Sequence, residues 1–392
     1  MKKTLMIIIL SITPLLASSA WIDFFPPLEK IYAYSAPSTI VDMEADDAGL
    51  LYILTMASDS VFVEVISTSG ELVRTCRSAL GPTTNAYPVG IQLSRHGEII
   101  VVRGWEKVLE TPVNWVFDST GYDILEPTHL LKYAEWLQVS PCGNFFSCQG
   151  YRGENSQIPG IYDRNFNEIF ADLPLEQGFF ARSGDIDMLV AKENREKDQY
   201  LTARELPSAK ILFETKLDDN TSRLSVQEAK IAVTENCIFT LSNLCANRTL
   251  YCFDAKTGDF LWENQTQTDI IDIGSGLDGD AVAIRGNFCY VVRDVSGEVS
   301  LDYCLDLLEV NFDFSFSDKV ESTIWLKYSI LVSSFFLYDD DYIFQSLIFT
   351  FGDEKSTAPI QVLNLFDGFI LNGSYYIVEA FENQVSLYRI IE

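Results

Sequence analysis

The sequence predicts an all-β fold, a β-propeller of four-stranded antiparallel blades, and three observations lead there. A strand, polar turn, strand pattern recurs along the chain. A second series of turns precedes it at a near-fixed offset, and no helical period of 3.6 residues is sustained. Seven blades fit the repeat count, with eight as the alternative, and the N-terminal strand is expected to close the ring.

In chain order, "MKKTLMIIILSITPLLASSA" at residues 1–20 reads as a signal peptide. Lys2 and Lys3 give a basic start, an apolar run follows at residues 5–16, and Ser18 and Ala20 suit cleavage after Ala20. A membrane anchor is the rival reading, although the run is shorter than the ~20 residues a spanning helix needs. Residues 21–392 are then a single propeller domain, secreted or periplasmic. "LEKIYAYS" (residues 28–35) is an alternating stretch with no neighbour of its own, and the chain ends in "QVSLYRII" with no strand after it. The two ends are expected to share one sheet, residues 28–35 supplying the outer strand of the last blade.

Hairpin patterns begin with "VEVISTSGELVRTC" at Val63, "NWVFDSTGYDILEP" at Asn114 and "GIYDRNFNEIFADL" at Gly160. They continue with "TARELPSAKILFET" at Thr202, "LYCFDAKTGDFLWEN" at Leu250 and "YVVRDVSGEVSLDY" at Tyr290. Upstream of each lies another turn, clearest in "IQLSRHGEIIVV" (residues 91–102) and "LQVSPCGNFFSC" (residues 137–148), with weaker copies near Gly49, Gly184, Asn236 and Gly279. An offset of 18 to 24 residues between the two series leaves room for two strands, so each repeat is a four-stranded meander. Six repeats are countable between Thr39 and Leu305, and the aromatic-rich remainder holds one or two more. Radial closure protects sheet edges that an open array would expose.

With 47% apolar residues the 392-residue chain can bury a sizeable core, and its net charge of −28 disfavours nucleic acid and anionic lipid surfaces, which demand a cationic face. Acidity suits solubility, a cation or a basic partner. "GLDGD" (residues 276–280) has the outline of a Ca²⁺ loop without its alternating acidic ligands, and "DDD" (residues 339–341) reads as a turn. No later segment is long and apolar enough to cross a bilayer as a helix.

Catalytic chemistry has few carriers. His96 and His129 are the two histidines, one in a hairpin turn and one in a loop between blades, which excludes a His-rich metal site. Acidic pairs such as Asp185 with Asp187 and Asp269 with Asp272 could serve a glycosidase, which needs two carboxylates at a set separation that sequence does not supply. Eight cysteines follow the leader. If "DVSGEV" closes on Ser296 and Gly297, Cys289 faces Cys304; if the loop before Leu250 turns through residues 243–246, Cys237 faces Cys252. Directly opposed positions are close enough for disulfides, and buried thiols are the alternative. Cys142 and Cys148 flank one short strand, while Cys76 and Cys245 have no assigned partner. The sequons at Asn220, Asn247, Asn264 and Asn372 read as polar turns, because the leader looks bacterial.

"DAKTGDFLW" (residues 254–262) resembles the Asp-x-x-Thr-Gly-x-x-x-Trp turn of pyrroloquinoline-quinone-type propeller repeats. "VSPCGNFFS" resembles the Ser-Pro-x-Gly hairpin of bacterial surface-layer and WD40-like propellers. The resemblance spans the repeats from Thr39 to Leu305, with the full tryptophan turn in one copy. It implies, for the quinone enzymes, adjacent cysteines and a Ca²⁺-bound catalytic Asp; no two cysteines are adjacent here. The turn is therefore read structurally: an Asx-type bond from Asp254, a positive φ at Gly258, and Trp262 packing between blades. No cofactor is expected, Ca²⁺ being the one exception entertained.

These features suggest a non-enzymatic scaffold that presents loops to a protein, a peptide or a carbohydrate. The expected binding surface includes the aromatic loop residues Tyr87, Trp105 and Tyr151, whose structural alternative is packing between blades. Rival functions are a carboxylate-based sugar hydrolase or lyase, a degenerate quinone-dependent enzyme, and an outer-membrane assembly factor, the last weakened by the lack of a lipid-anchor cysteine. Carboxylates converging at the centre of the ring would favour an enzyme.

Overall fold

The computed structural model describes residues 28–391 with breaks, the longer ones at 80–85, 149–159, 218–230, 242–248, 293–319 and 351–359. Between residues 264 and 366 it describes backbone strands alone. The expected signal peptide, the acidic stretch 276–280, Tyr151 and Cys304 lie outside the described residues.

Apart from Leu28–Ser35, every described strand pairs antiparallel with a sequence neighbour, so each sheet is built on a meander. In chain order the sheets span residues 40–79, 86–118, 138–170, 175–217, 231–265, 270–292, 320–362 and 365–390, the last joined by Leu28–Ser35. The six sheets up to residue 292 follow the six repeats read from the sequence. The region beyond them yields two sheets, making eight among the described residues rather than seven. Two sheets show three strands instead of four. In the second, the outer strand is reduced to a bridge between Phe117 and Asp123, because the Asp123 carboxylate takes the Val116 N–H at 3.2 Å in place of a backbone carbonyl.

Period-two alternation builds the cores between sheets. On Leu51–Ala57, Leu51 and Ile53 face the eighth sheet, while Tyr52 and Leu54 face the second. On Ile99–Glu106, Ile100 and Val102 return to the first sheet, and Ile99 and Val101 pack on the third. Leu130–Tyr133, a 3₁₀ turn, fills the gap between the second and third sheets; the His129 ring accepts the Leu131 N–H at 3.2 Å, and Asn114 donates to the Leu131 and Ala134 carbonyls, both at 2.8 Å. His129 is thus a cap, which explains it without catalysis.

The chain ends meet in the eighth sheet. Leu28–Ser35 pairs with Gln384–Ile390 from Leu28 opposite Ile390 to Ser35 opposite Gln384, with one bulge after Lys30. Ser35 and Gln384 exchange side-chain hydrogen bonds, and Arg389 pairs with Glu29.

Candidate functional site

The first strand of every sheet has one edge with no strand beside it, so its outward N–H groups need acceptors from elsewhere. Ile40–Ala45 lies between Ala86–Leu93 of the second sheet and Leu365–Leu371 of the eighth. Its sequence, IVDMEA, sends Ile40 and Met43 into the core and leaves Asp42 and Glu44 half-buried, with the Glu44 carboxyl itself enclosed. Asp42 accepts from Ile91 N at 2.8 Å and from Met43 N at 2.8 Å, and Glu44 accepts from Leu93 N at 3.0 Å. One sheet on, Gln92 accepts from Val139 N at 3.2 Å. On the other side, Asp367 accepts from Gly368 N at 2.8 Å and from the Ala45 amide. Side-chain oxygens therefore stitch the first strands of the eighth, first, second and third sheets in succession. Asp187 does related work between the third and fourth, taking Ser140 Oγ at 2.9 Å and Cys142 N at 3.1 Å.

Asp42, Glu44 and Asp367 form an acidic cluster beside Arg103, which sits opposite Gly90. A Cβ at Gly90 would lie 3.3 Å from the guanidinium and 3.5 Å from an Asp42 oxygen, so the glycine leaves room for both side chains. Burial holds the Glu44 carboxyl well above the usual range, reinforced by the charges of Asp367 and Asp42 and opposed by the Leu93 amide and Arg103. Burial pushes Asp367 up to about 7, against its two amide donors. Both groups favour the neutral form through much of the acid range.

A carboxyl whose folded pKa is raised from 3.8 to about 7 contributes stability that is complete below pH ~4 and lost as the pH rises through 7. Asp367→Asn is expected to flatten the decline in unfolding free energy between pH 5 and 8, measured by urea titration at each pH. An unchanged slope would show that Asp367 is not its source.

The tryptophan turn behaves structurally. Asp254 Oδ1 accepts from Lys256 N and Thr257 N, both at 2.8 Å, and Gly258 has φ 74°. The Thr257 amide is the main reason the Asp254 carboxyl is held below the usual range. Trp262 aligns with Cys252 and Phe239 across the fifth sheet, its ring 6.0 Å from Phe239, on the face turned away from the fourth sheet. Asp254→Ala should cost about 1 kcal/mol, the worth of a lost cap-type acceptor, read as a lower denaturation midpoint.

Other sequence expectations are relocated. Tyr87 and Trp105 stand on strands rather than loops, directly opposite each other in the second sheet. Both are half-buried, and Lys107 Nζ lies 5.1 Å from the centre of the Tyr87 ring. Cys237 faces Asp254, and Cys252 faces Phe239, so the fifth-sheet cysteines are two residues out of the expected register and not directly opposed. Cys289 faces Ile284 on its preceding strand. His96 is exposed in its turn. Sequence reasoning missed Asp42, Glu44 and Asp367; the signal for the first two was an acid on alternate positions of a first strand, one repeat before its acceptor strand. Among the described residues no group of three or more His, Cys, Asp or Glu side chains could hold a metal ion, and no helix is long and apolar enough to cross a membrane.

No protein-family model matches the sequence, and no curated protein matches it. Among solved structures, the Dos1 propeller is similar with a TM-score of 0.52 at 11% identity, covering 92% of this chain and 95% of that one. The Neurospora crassa Pan2 WD40 domain matches with a TM-score of 0.41 at 10% identity over 93% of this chain and 96% of that one. The propeller domain of the trilobed protease from Pyrococcus furiosus matches at 0.42 and 10%, over 91% and 95%. The likeness to the Dos1 propeller carries the conclusion about class: this chain has a β-propeller fold.

Proposed function

We propose that the chain is a secreted or periplasmic propeller of eight blades, closed by Leu28–Ser35, that acts as a non-enzymatic scaffold for a protein, peptide or carbohydrate. One observation supports it above others: the inner carboxylates are engaged with backbone amides of adjoining first strands, an arrangement that rigidifies a hub. Rigid hubs that display variable loops suit recognition. The test is thermal unfolding of residues 21–392 against oligosaccharides, peptides, Ca²⁺ and pyrroloquinoline quinone. A ligand at 100 times its Kd stabilises by about 2.7 kcal/mol. A saturable shift with a peptide or an oligosaccharide and no turnover supports the scaffold; turnover of a sugar overturns it.

The second reading is a carboxylate-based hydrolase or lyase on sugars. It rests on the convergence of Asp42, Glu44 and Asp367, two of which favour the protonated form that a general acid requires. It requires cleavage of a polysaccharide, lost in both Glu44→Gln and Asp367→Asn.

A further inference from the structure

The interface between the first and eighth sheets contains a buried acid outside the central cluster. Glu64 lies on Ser60–Ile66, opposite Ile53, on the face that packs against the eighth sheet, and is 6% exposed. Its contact across the interface is Tyr34 of the N-terminal strand, whose hydroxyl donates to the carboxyl. Three side-chain oxygens on this interface, Glu64 Oε2, Thr55 Oγ1 and Tyr32 OH, are buried with no hydrogen-bond partner.

The charges around Glu64 offer it no compensation. On its own face of the first sheet, Arg77 is turned to Ser60 Oγ, at 3.0 and 3.2 Å, and lies over the Phe62 ring. From the N-terminal strand come Tyr32 and Tyr34, both uncharged, while Glu29 is paired to Arg389 and Lys30 lies over Tyr388. The eighth sheet adds Phe369, Tyr376, Val378, Ala380, Val385 and Leu387 to this core. Burial accordingly raises the Glu64 carboxyl, with the Tyr34 hydroxyl opposing the shift. A charged Glu64 here would have one hydroxyl as its stabilising partner among the described residues.

We propose that Tyr34 and Glu64 form a proton-dependent clasp: with Glu64 neutral the N-terminal strand is locked onto the first sheet, and ionisation of Glu64 releases Leu28–Ser35 from that contact. The device loosens as the pH rises, because a folded pKa above the unfolded one stabilises the protonated state and is lost on ionisation.

Hydrogen–deuterium exchange of the full-length protein, corrected for intrinsic exchange, tests this between pH 5 and 8. Protection of the amides in Leu28–Ser35 is expected to fall by about tenfold for each unit by which the Glu64 pKa is raised, beyond any loss in Ser374–Phe381, whose neighbouring strand carries Asp367. Glu64→Gln should remove the excess pH dependence of Leu28–Ser35 over Ser374–Phe381, and Tyr34→Phe should lower protection at pH 5. Equal slopes in wild type and Glu64→Gln, or a loss shared by every sheet, overturn the clasp. Should Glu64→Gln fail to fold, Tyr34→Phe decides: strand protection equal to wild type at pH 5 overturns it.

Discussion

Replacing Gly97 by alanine is expected to destabilise the protein by about 3 kcal/mol or more, the range of overpacked core substitutions. Gly97 has φ 61°, in the left-handed region, and an added Cβ would lie 1.6 Å from the Tyr52 hydroxyl and 2.3 Å from its Cζ. Tyr52 has little room to retreat. It is 1% exposed within the core between the first and second sheets, and its hydroxyl reaches Asp46 at 3.2 Å. Asp46 in turn accepts from Ala48 N and Leu50 N at 2.9 Å, so moving the ring disturbs the turn that connects the first two strands. Gly373→Ala is the matched control. Gly373 has a similar φ of 77° but nothing within 4 Å of its added Cβ, so it should lose only the left-handed cost of about 1–2 kcal/mol. Urea midpoints of the two variants would compare steric overlap with backbone strain directly. Equal losses would mean that Tyr52 can move.

Glu193→Ala is expected to cost about 3–5 kcal/mol, as when one member of a buried ion pair is removed. The Glu193 side chain is fully buried in the fourth sheet. It accepts from Arg204 Nε at 2.7 Å, from a second Arg204 nitrogen at 3.0 Å, from Arg195 at 2.7 and 3.2 Å, and from Thr202 Oγ1 at 2.8 Å. Burial alone would raise its carboxyl, yet these donors, led by Arg204 and Arg195, hold it below the ordinary glutamate range. Stability from this group is therefore complete above the unfolded pKa of ~4.3 and lost as the pH falls through the lower folded value. Removing Glu193 takes the carboxylate partner from Arg204, whose side chain is 13% exposed and keeps a hydrogen bond to the Ala209 carbonyl at 3.1 Å, whereas Arg195 keeps an ion pair with Glu214 at 2.5 Å. Unfolding free energies at pH 7 and pH 3 would check both claims. Wild type's advantage over Glu193→Ala should be smaller at pH 3 than at pH 7; an undiminished advantage there would sink the linkage argument.

These two acid effects run in opposite directions. Asp367 and Glu64 favour the folded state as protons are added, whereas Glu193 favours it as they are removed. A stability maximum between the two regimes is the net expectation.

Much of the architecture was legible along the chain because it is written in neighbours. Leu51, Tyr52, Ile53 and Leu54 alternate between two cores, which is the period-two rule applied to four adjacent residues. The turn at Asp254 closes through bonds to residues two and three positions on, so its motif can be read without knowing the rest of the fold. The pairing of Leu28–Ser35 with the C-terminal strand was legible for a different reason: each end carried a strand pattern with no local partner.

Tertiary structure decided what depends on residues far apart or on the length of a loop. The expected opposition of Cys237 and Cys252 assumed a four-residue turn, and a two-residue difference in register placed Asp254 and Phe239 opposite them instead. Tyr87 and Trp105 look like loop aromatics until their strands are paired. First-strand side-chain oxygens act on amides one repeat away: Asp42 on Ile91 and Glu44 on Leu93 are each separated by 49 residues, and Gln92 from Val139 by 47. The sequence by itself determined strands, turns and their repetition, since alternation and turn chemistry are local. Which acids favour the neutral form, which became stitches and which edge met which strand was decided by assembly, because desolvation and hydrogen-bond supply at one sheet are set by the sheet beside it.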